Sequence, residues 1–151
     1  MTTLFDTSAV IAATKEGHRL RGWSRTQLVA CKLKGPVIIP DMVYCELSVG
    51  MADMAEVDLA VRELALERLP TTNEALFRAG RAFKKYKEEN AGPKLGVMPD
   101  FLIGAIAEVA GIPLVTANSG DFSSYFPNVQ LIEPPKPAKA LKPAVPRGAE
   151  G

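Results

Sequence analysis

Histidine and cysteine are scarce in this chain. Its 151 residues include one histidine, His18, and two cysteines, Cys31 and Cys45. The cysteines lack the close spacing of metal-binding pairs, so we expect two reduced thiols. A zinc site built from thiolates and imidazoles is therefore excluded. His18 lies in a predicted loop beside Gly17 and is not expected to be a general base.

The chain also lacks a long apolar run and a large net charge. No stretch reaches the ~18 apolar residues that span a bilayer, and the start MTTLFDTSAV has no basic segment of the kind that opens a signal peptide. The 18 basic and 17 acidic residues leave a formal charge of +1, so any attraction to phosphate must come from a local patch. We expect a cytoplasmic protein without membrane contact.

The composition changes near the C-terminus. The whole chain has an apolar share of 47%, close to that of an average soluble protein, which is enough for one packed domain. From Pro134 onward the sequence PPKPAKALKPAVPRGAEG has five prolines, four basic residues and no aromatic residue. Such a segment buries too little apolar surface to fold. We therefore expect a domain over 1–133 and a flexible tail over 134–151.

Within the domain, short apolar strands alternate with helices. The pattern predicts strands over Thr2–Phe5, Pro36–Pro40, Arg68–Pro70, Ile112–Thr116 and Gln130–Ile132. It predicts helices over Thr7–Thr14, Arg19–Lys32, Met42–Met51 with Asp41 as its cap, Val57–Glu67, Thr72 to about Asn90, and Pro99–Ala110, with a loop over Lys94–Met98. This alternation is typical of an α/β fold with a parallel sheet covered on both faces.

Several acidic or amide side chains stand at unexpected places in this pattern. Asp6 directly follows the first strand, Glu46 shares a helix face with apolar neighbours, and Asp100 lies in a first helical turn. Asn118 closes the strand Ile112–Thr116, and Asp121 follows it. Each has an ordinary structural explanation as well: a helix cap at Asp6, a slightly rotated helix at Glu46, a favourable helix dipole at Asp100, and an Asx turn or helix cap at the last pair.

Placed on one parallel sheet, these residues share an edge. Asp6 and Asn118 follow strand carboxyl ends, whereas Glu46 and Asp100 lie in the N-terminal parts of helices, which start at that same edge. Carboxylates without basic partners repel each other unless a cation neutralises them, and oxygen ligands select hard ions such as Mg²⁺ or Mn²⁺. Such a site suits hydrolysis of a phosphodiester bond by a metal-activated water.

Four segments in this order resemble the PIN-domain ribonuclease family: FDTSAV, CELSVG, MPDFLIGAIAEVAGIPLVTAN and the pair Asp121-Phe122. The similarity covers about residues 2–133. It implies a three-layer α/β/α sandwich with a short central parallel sheet, and RNA hydrolysis that depends on Mg²⁺ or Mn²⁺. By this resemblance Asp6, Glu46 and Asp100 bind the metal, and Asn118 stands where many relatives carry Asp. Asp121 is then a further catalytic candidate that assists the site or caps a turn.

The resemblance also implies partners. The family's VapC-like toxins form homodimers and are inhibited by an antitoxin protein, so we expect both for this chain, beside an RNA substrate. The hydroxyls of Thr7, Ser8 and Thr116 could orient carboxylates. Candidate phosphate contacts are Arg19, Arg21 and Arg25, or Lys84, Lys85, Lys87 and Lys94.

Three alternative functions are compared with this one. A haloacid-dehalogenase-type phosphatase also begins with an Asp after its first strand, but it needs a second Asp two residues later, where this chain has Ser8. A receiver-type phosphoacceptor domain wants an acidic pair at this place, and Asp6 stands alone. A catalytically impaired PIN-like binding module is the stronger alternative, since Asn118 replaces an acidic residue.

Overall fold

Five short parallel strands form the centre of the protein. The computed structural model describes residues 1–90, 98–120 and 122–136. The strands are β1 (Thr3–Phe5), β2 (Val37–Pro40), β3 (Glu67–Leu69), β4 (Leu114–Val115) and β5 (Leu131–Ile132). They are arranged in the order β3-β2-β1-β4-β5, and every pairing is parallel. The expected α/β class with a short central parallel sheet is confirmed.

Seven helices are formed by the described residues. They are α1 (Thr7–Thr14), α2 (Arg21–Lys34), α3 (Asp41–Val49), α4 (Met54–Glu63), α5 (Asn73–Glu89), α6 (Met98–Ala110) and α7 (Phe122–Tyr125). Right-handed crossovers put α1 to α4 on one face of the sheet and α5 to α7 on the other, because the chain moves in opposite directions along the sheet. None of the helices in the described segments is long and apolar enough to cross a bilayer.

The sheet is buried because its strands carry apolar side chains on both faces. Leu4, Ile39, Leu114 and Val115 have no exposed surface. On the α5–α7 face an aromatic cluster closes the core, and neighbouring rings have centroids 4.9–6.3 Å apart. This aromatic cluster consists of Phe83, Tyr86, Phe101, Tyr125 and Phe126.

Helix α4 differs most from its prediction. It begins at Met54, because the Asp53 side chain accepts a hydrogen bond from the Glu56 N–H at 2.8 Å. It ends at Glu63 rather than Glu67, because Ala65 adopts a left-handed conformation with φ of 48° and turns the chain into β3. Non-glycine residues rarely do this, so the sequence carries no signal for the stop.

Two further predictions at helix starts have different outcomes. Thr72 caps α5, since its hydroxyl accepts from the Ala75 N–H at 3.2 Å. The prediction of Asp41 as a cap is wrong: Asp41 is the first residue of α3, and its carboxylate forms an ion pair with Arg68. Helix α7 was not among the predicted helices, although a helix cap was one explanation for Asn118 and Asp121. The predicted loop Lys94–Met98 lies outside the described residues except for Met98, which begins α6; the tail beyond residue 136 lies outside them as well.

Candidate metal centre

Asp6 lies at the carboxyl end of the central strand. Its N–H continues the parallel ladder by donating to the Val115 carbonyl at 2.9 Å, and its own carbonyl accepts from Ala9 and Val10 at the start of α1. Its side chain makes no capping hydrogen bond. Only 4% of the residue is exposed. Asp6 therefore occupies the N-cap position of α1 without a capping hydrogen bond from its side chain.

Two hydroxyl groups hold the Asp6 carboxylate in place. Ser8 Oγ donates to Oδ2 at 2.9 Å, and Thr116 Oγ1 lies 2.7 Å from the same oxygen. The Ala117 N–H in turn donates to Ser8 Oγ at 3.0 Å. No side chain of the described residues donates to Oδ1. Ser8 and Thr116 thus orient this carboxylate, the role that the resemblance suggested for them, and leave one oxygen for another ligand.

Burial raises the pKa of the Asp6 carboxyl group above its ordinary value. The hydrogen bonds from Thr116 and Ser8, together with the nearby N–H groups of Thr7 and Ser8, act in the opposite direction and lower it. Because the effect of burial exceeds theirs, the negative charge on Asp6 is only partly compensated by the protein. A nearby cation would supply the missing compensation.

Glu46 is brought to the same place by α3. Its side chain is half-buried, and Thr7 Oγ1 donates to its Oε1 at 2.8 Å. Burial raises the pKa of Glu46, the Thr7 hydrogen bond lowers it, and the negative charge of Asp6 raises it further. The two carboxylates are therefore electrostatic neighbours, and neither forms a salt bridge with a basic residue in the described segments.

The other predicted site residues lie on or after neighbouring elements of the fold. Asp100 is half-buried in the first turn of α6, a helix that packs against α3. Asn118 is exposed, and its Oδ1 accepts from the Gly120 N–H at 3.2 Å, as in the Asx turn that was the structural alternative. Asp121 lies outside the described residues. Among residues 1–90, 98–120 and 122–136, no three Asp, Glu, His or Cys side chains are grouped closely enough to hold a metal ion.

The chemistry of the pair nevertheless fits a hard divalent cation. Asp6 and Glu46 offer carboxylate oxygens, each with one oxygen fixed by a hydroxyl group and the other without a side-chain donor from the described residues. Fixed, hydrogen-bonded carboxylates are the usual surroundings of a bound Mg²⁺ or Mn²⁺. Asp6 and Glu46 are the residues on which such a site would depend.

Sequence reasoning missed a cavity beside this pair. It has a volume of about 580 Å³, lies between α1, α2, α3 and α4, and includes Glu46 in its lining. Arg21 and Arg25, two of the candidate phosphate contacts, also line it. His18 lies in the turn before α2, where its Nδ1 accepts from the Leu20 N–H at 3.0 Å. The cavity had no sequence signal, because its walls come from four separate helices.

Comparison with known proteins identifies the family. Solved structures with the same fold include VapBC2 from Rickettsia felis bound to a promoter DNA fragment (18% identity, TM-score 0.68, 88% of this chain and 98% of that one). They also include VapBC-1 from nontypeable Haemophilus influenzae (17%, 0.64, 88% and 98%) and a toxin-antitoxin complex from Klebsiella pneumoniae (22%, 0.60, 84% and 94%). No curated protein sequence matches the chain. The family model of the PIN domain matches residues 3–125, so the chain belongs to the PIN domain family.

Proposed function

We propose that this protein is a metal-dependent endoribonuclease and the toxin of a toxin–antitoxin pair. The observation that carries the proposal is the pair of Asp6 and Glu46, two buried or half-buried carboxylates at the carboxyl edge of the sheet. The negative charge of Asp6 raises the pKa of Glu46, so the two carboxylates repel each other. Within the described residues, hydroxyl groups rather than basic side chains orient them. An arrangement of this kind is costly unless a cation binds there.

The metal would be Mg²⁺ or Mn²⁺, held by Asp6 and Glu46. Asp100 would be the third ligand after a shift of its side chain, because the three carboxylates are not grouped closely enough in the structure to hold an ion together. A divalent cation at this place supplies a Lewis acid that polarises the phosphodiester and makes a water molecule nucleophilic. Thr7, Ser8 and Thr116 keep the carboxylates in position, so that their oxygens need not reorganise when the cation and the substrate arrive. Asn118 or Asp121 would contribute a further side-chain oxygen.

The partners follow from the fold neighbours as part of the proposal. The structures that resemble this chain include a toxin-antitoxin complex from Klebsiella pneumoniae and VapBC2 from Rickettsia felis bound to a promoter DNA fragment. We infer an antitoxin partner for this chain, a homodimer as its own assembly, and the cytoplasm as its location. Light scattering on the purified protein measures the assembly directly, and a monomer would remove the homodimer from the proposal.

An RNA cleavage assay tests the enzymatic part. The purified protein is incubated with labelled single-stranded RNA and Mn²⁺ or Mg²⁺, with and without EDTA. We expect cleavage with either metal, none with EDTA, and a loss of at least about a hundredfold in Asp6→Asn and Glu46→Gln. Asp58→Asn is the matched control, because Asp58 is an exposed carboxylate on α4 that only accepts a hydrogen bond from Tyr44. Cleavage that survives in both site variants contradicts the proposal.

The second candidate is a PIN-like binding module without catalysis. It is favoured by Asn118, whose side chain is exposed and engaged in a turn rather than directed to Asp6. This candidate predicts that Mn²⁺ binds, that Asp6→Asn abolishes the binding, and that no RNA is cut at any metal concentration. Phosphatase activity towards small phosphoesters would instead revive the haloacid-dehalogenase alternative.

A further inference from the structure

Helix α5 has a basic outer face. Phe77, Arg81, Lys84 and Lys87 recur there at helical spacing, and all four side chains are exposed. We call these four residues the α5 stripe. Its three cations form no ion pair within residues 1–90, 98–120 and 122–136, and the Arg81 guanidinium lies 4.8 Å from the centroid of the Phe77 ring. The stripe is therefore a local patch of positive charge on a protein whose net charge is only +1.

A hollow of about 450 Å³ opens beside the α5 stripe at Gly80. It is lined by the Phe83 ring, by Lys84 and by Lys87, whose Nζ lies 5.8 Å from the centroid of that ring. Glu88 also lines the hollow, but it forms no ion pair with either lysine within the described part of the chain. The hollow thus combines an aromatic ring with two ammonium groups that are open to a ligand.

Gly80 is not explained by the packing of α5. It lies at an exposed position in the interior of the helix, where glycine is less favourable than alanine. A Cβ at this position would meet no atom within 4 Å, so no neighbouring group requires a glycine there. Gly104 on α6 is different, because its Cβ would lie 2.6 Å from Cε2 of Phe126. The missing side chain at Gly80 leaves open space in the hollow and relieves no crowding within the fold.

The hollow lies towards the end of α6 that carries a predicted metal ligand. Helices α5 and α6 are antiparallel, since Arg78 in the first half of α5 pairs with Glu108 near the end of α6. Phe83 in the second half of α5 lies 6.2 Å from Phe101, the residue after Asp100 in the first turn of α6. A chain that is bound in the hollow can therefore continue along α6 towards the candidate metal centre.

An unpaired nucleotide matches this chemistry better than other ligands. Its base offers a flat face to the Phe83 ring, and the phosphates beside the base offer negative charge to Lys84 and Lys87. In a duplex both faces of the base are already stacked, so a paired base cannot enter. An acidic peptide would neutralise the two lysines but would leave the ring without a stacking partner.

We propose that the hollow at Gly80 accepts one unpaired base of the RNA, stacked on Phe83, and that the cations of the α5 stripe bind the adjoining phosphates. The inference rests on the proposed function and deepens it. It names the substrate class as RNA that stays single-stranded beyond the bond that is cut. Gly80 is then a specificity-determining position, because the absence of a side chain there admits the base.

Filling the hollow tests this proposal without any cleavage. Binding of a fluorescent oligonucleotide of about 12 uridines is measured by anisotropy in EDTA, alone and annealed to its adenosine complement. We expect wild-type protein to prefer the single strand. Gly80→Leu should raise the Kd for the single strand about tenfold, the loss of one stacked base, while its Tm does not fall because leucine is the better helix former.

Gly22→Leu is the matched control, since Gly22 is an exposed helical glycine on α2 and a Cβ there also meets no atom within 4 Å. It should leave the Kd unchanged. Lys84→Gln keeps the test valid if Gly80→Leu fails to fold: the affinity should fall, and the salt slope should fall by about 0.7. Arg62→Gln removes the same charge from an exposed position on α4 and should leave the slope as it is.

Four outcomes would overturn the proposal. They are no binding of the single strand, a duplex that binds as tightly, an unchanged Kd in Gly80→Leu or an unchanged slope in Lys84→Gln, and an equal loss in the matched controls. A polyglutamate peptide that displaces the RNA from wild type but not from Lys84→Gln would assign the hollow to an acidic protein instead. Cleavage that persists in Gly80→Leu with unchanged binding would remove the hollow and keep the nuclease, whereas stacking without any cleavage would do the reverse.

Discussion

Replacing Asp6 with asparagine should make the metal-free protein more stable. The substitution keeps the side chain's shape, and the amide oxygen can still accept from Ser8 and Thr116. Two charge-assisted hydrogen bonds become neutral ones, which costs about 1 kcal/mol each. Against this, the substitution removes the burial of a charge, worth several kcal/mol, and the repulsion from Glu46. Because the pKa of Asp6 is raised, burial outweighs the hydrogen bonds.

The net gain is on the order of 1 kcal/mol, which corresponds to a rise in Tm of about 2–4 °C for a domain of this size. The effect should depend on pH. The Asp6 carboxyl group has a higher pKa in the folded state than the 3.8 of the free group. The folded state therefore holds its proton more tightly, and wild-type stability falls as pH rises from about 4 through the raised pKa. The advantage of Asp6→Asn should be near zero at pH 4 and grow towards pH 7.

Added Mn²⁺ should reverse the order of thermal stability, so that the wild type becomes more stable than Asp6→Asn. A cation at 100 times its Kd stabilises the folded wild type by about 2.7 kcal/mol, whereas Asp6→Asn should gain little. Thermal melts with EDTA and with Mn²⁺, at several pH values, measure both effects, and Asp58→Asn should match wild type throughout. If Asp6→Asn is less stable than wild type in EDTA at pH 7, the carboxylate is already well compensated and the argument for a cation fails.

Three further predictions concern single contacts. Thr116→Val removes the hydroxyl at 2.7 Å from Asp6, so Mn²⁺ affinity measured by calorimetry should fall about 10- to 100-fold with the fold retained; unchanged affinity would exclude an orienting role. Gly104→Ala puts a Cβ 2.6 Å from Cε2 of Phe126. The resulting overpacking costs about 1–3 kcal/mol, which should exceed the gain in helix propensity of about 1 kcal/mol and lower the Tm. A higher Tm would contradict this close contact. Arg78→Gln removes the ion-pair partner of Glu108, a half-buried carboxylate on α6. The free energy of unfolding in urea should fall by about 1–3 kcal/mol, which is less than for a fully buried ion pair because both side chains are partly exposed.

Much of the fold could be predicted because its signals are local. The predicted helix Thr7–Thr14 and strand Pro36–Pro40 agree with α1 and β2 to within a residue, since apolar runs and prolines mark their limits. The stop of α4 could not be predicted, because a left-handed conformation is rare for alanine and no residue near Ala65 signals it. Helix α7 is only one turn long and lacks a periodic pattern, although Phe122 in it is buried.

The candidate site was also only partly predictable from the sequence. The position of Asp6 after an apolar strand predicted its place at the carboxyl edge, and the apolar face around Glu46 predicted that its side chain would be at least partly buried. That Thr7 would join the two acids by donating to Glu46 needed three-dimensional coordinates, because the residues are 39 positions apart. Among the described residues, the buried Nε of Arg21 has no hydrogen-bond partner. This could not be predicted from the sequence either, because it depends on which groups surround the side chain in three dimensions.

The aromatic cluster has a practical consequence for optical work on this protein. Two of the three tyrosines, Tyr86 and Tyr125, belong to the cluster on the α5–α7 face, whereas the single tryptophan, Trp23, is in α2 on the opposite face. Indole emission and the near-ultraviolet dichroism of the tyrosines therefore report on different layers of the molecule. Coincident melting curves from the two signals would show that the five short strands couple the layers into one cooperative unit.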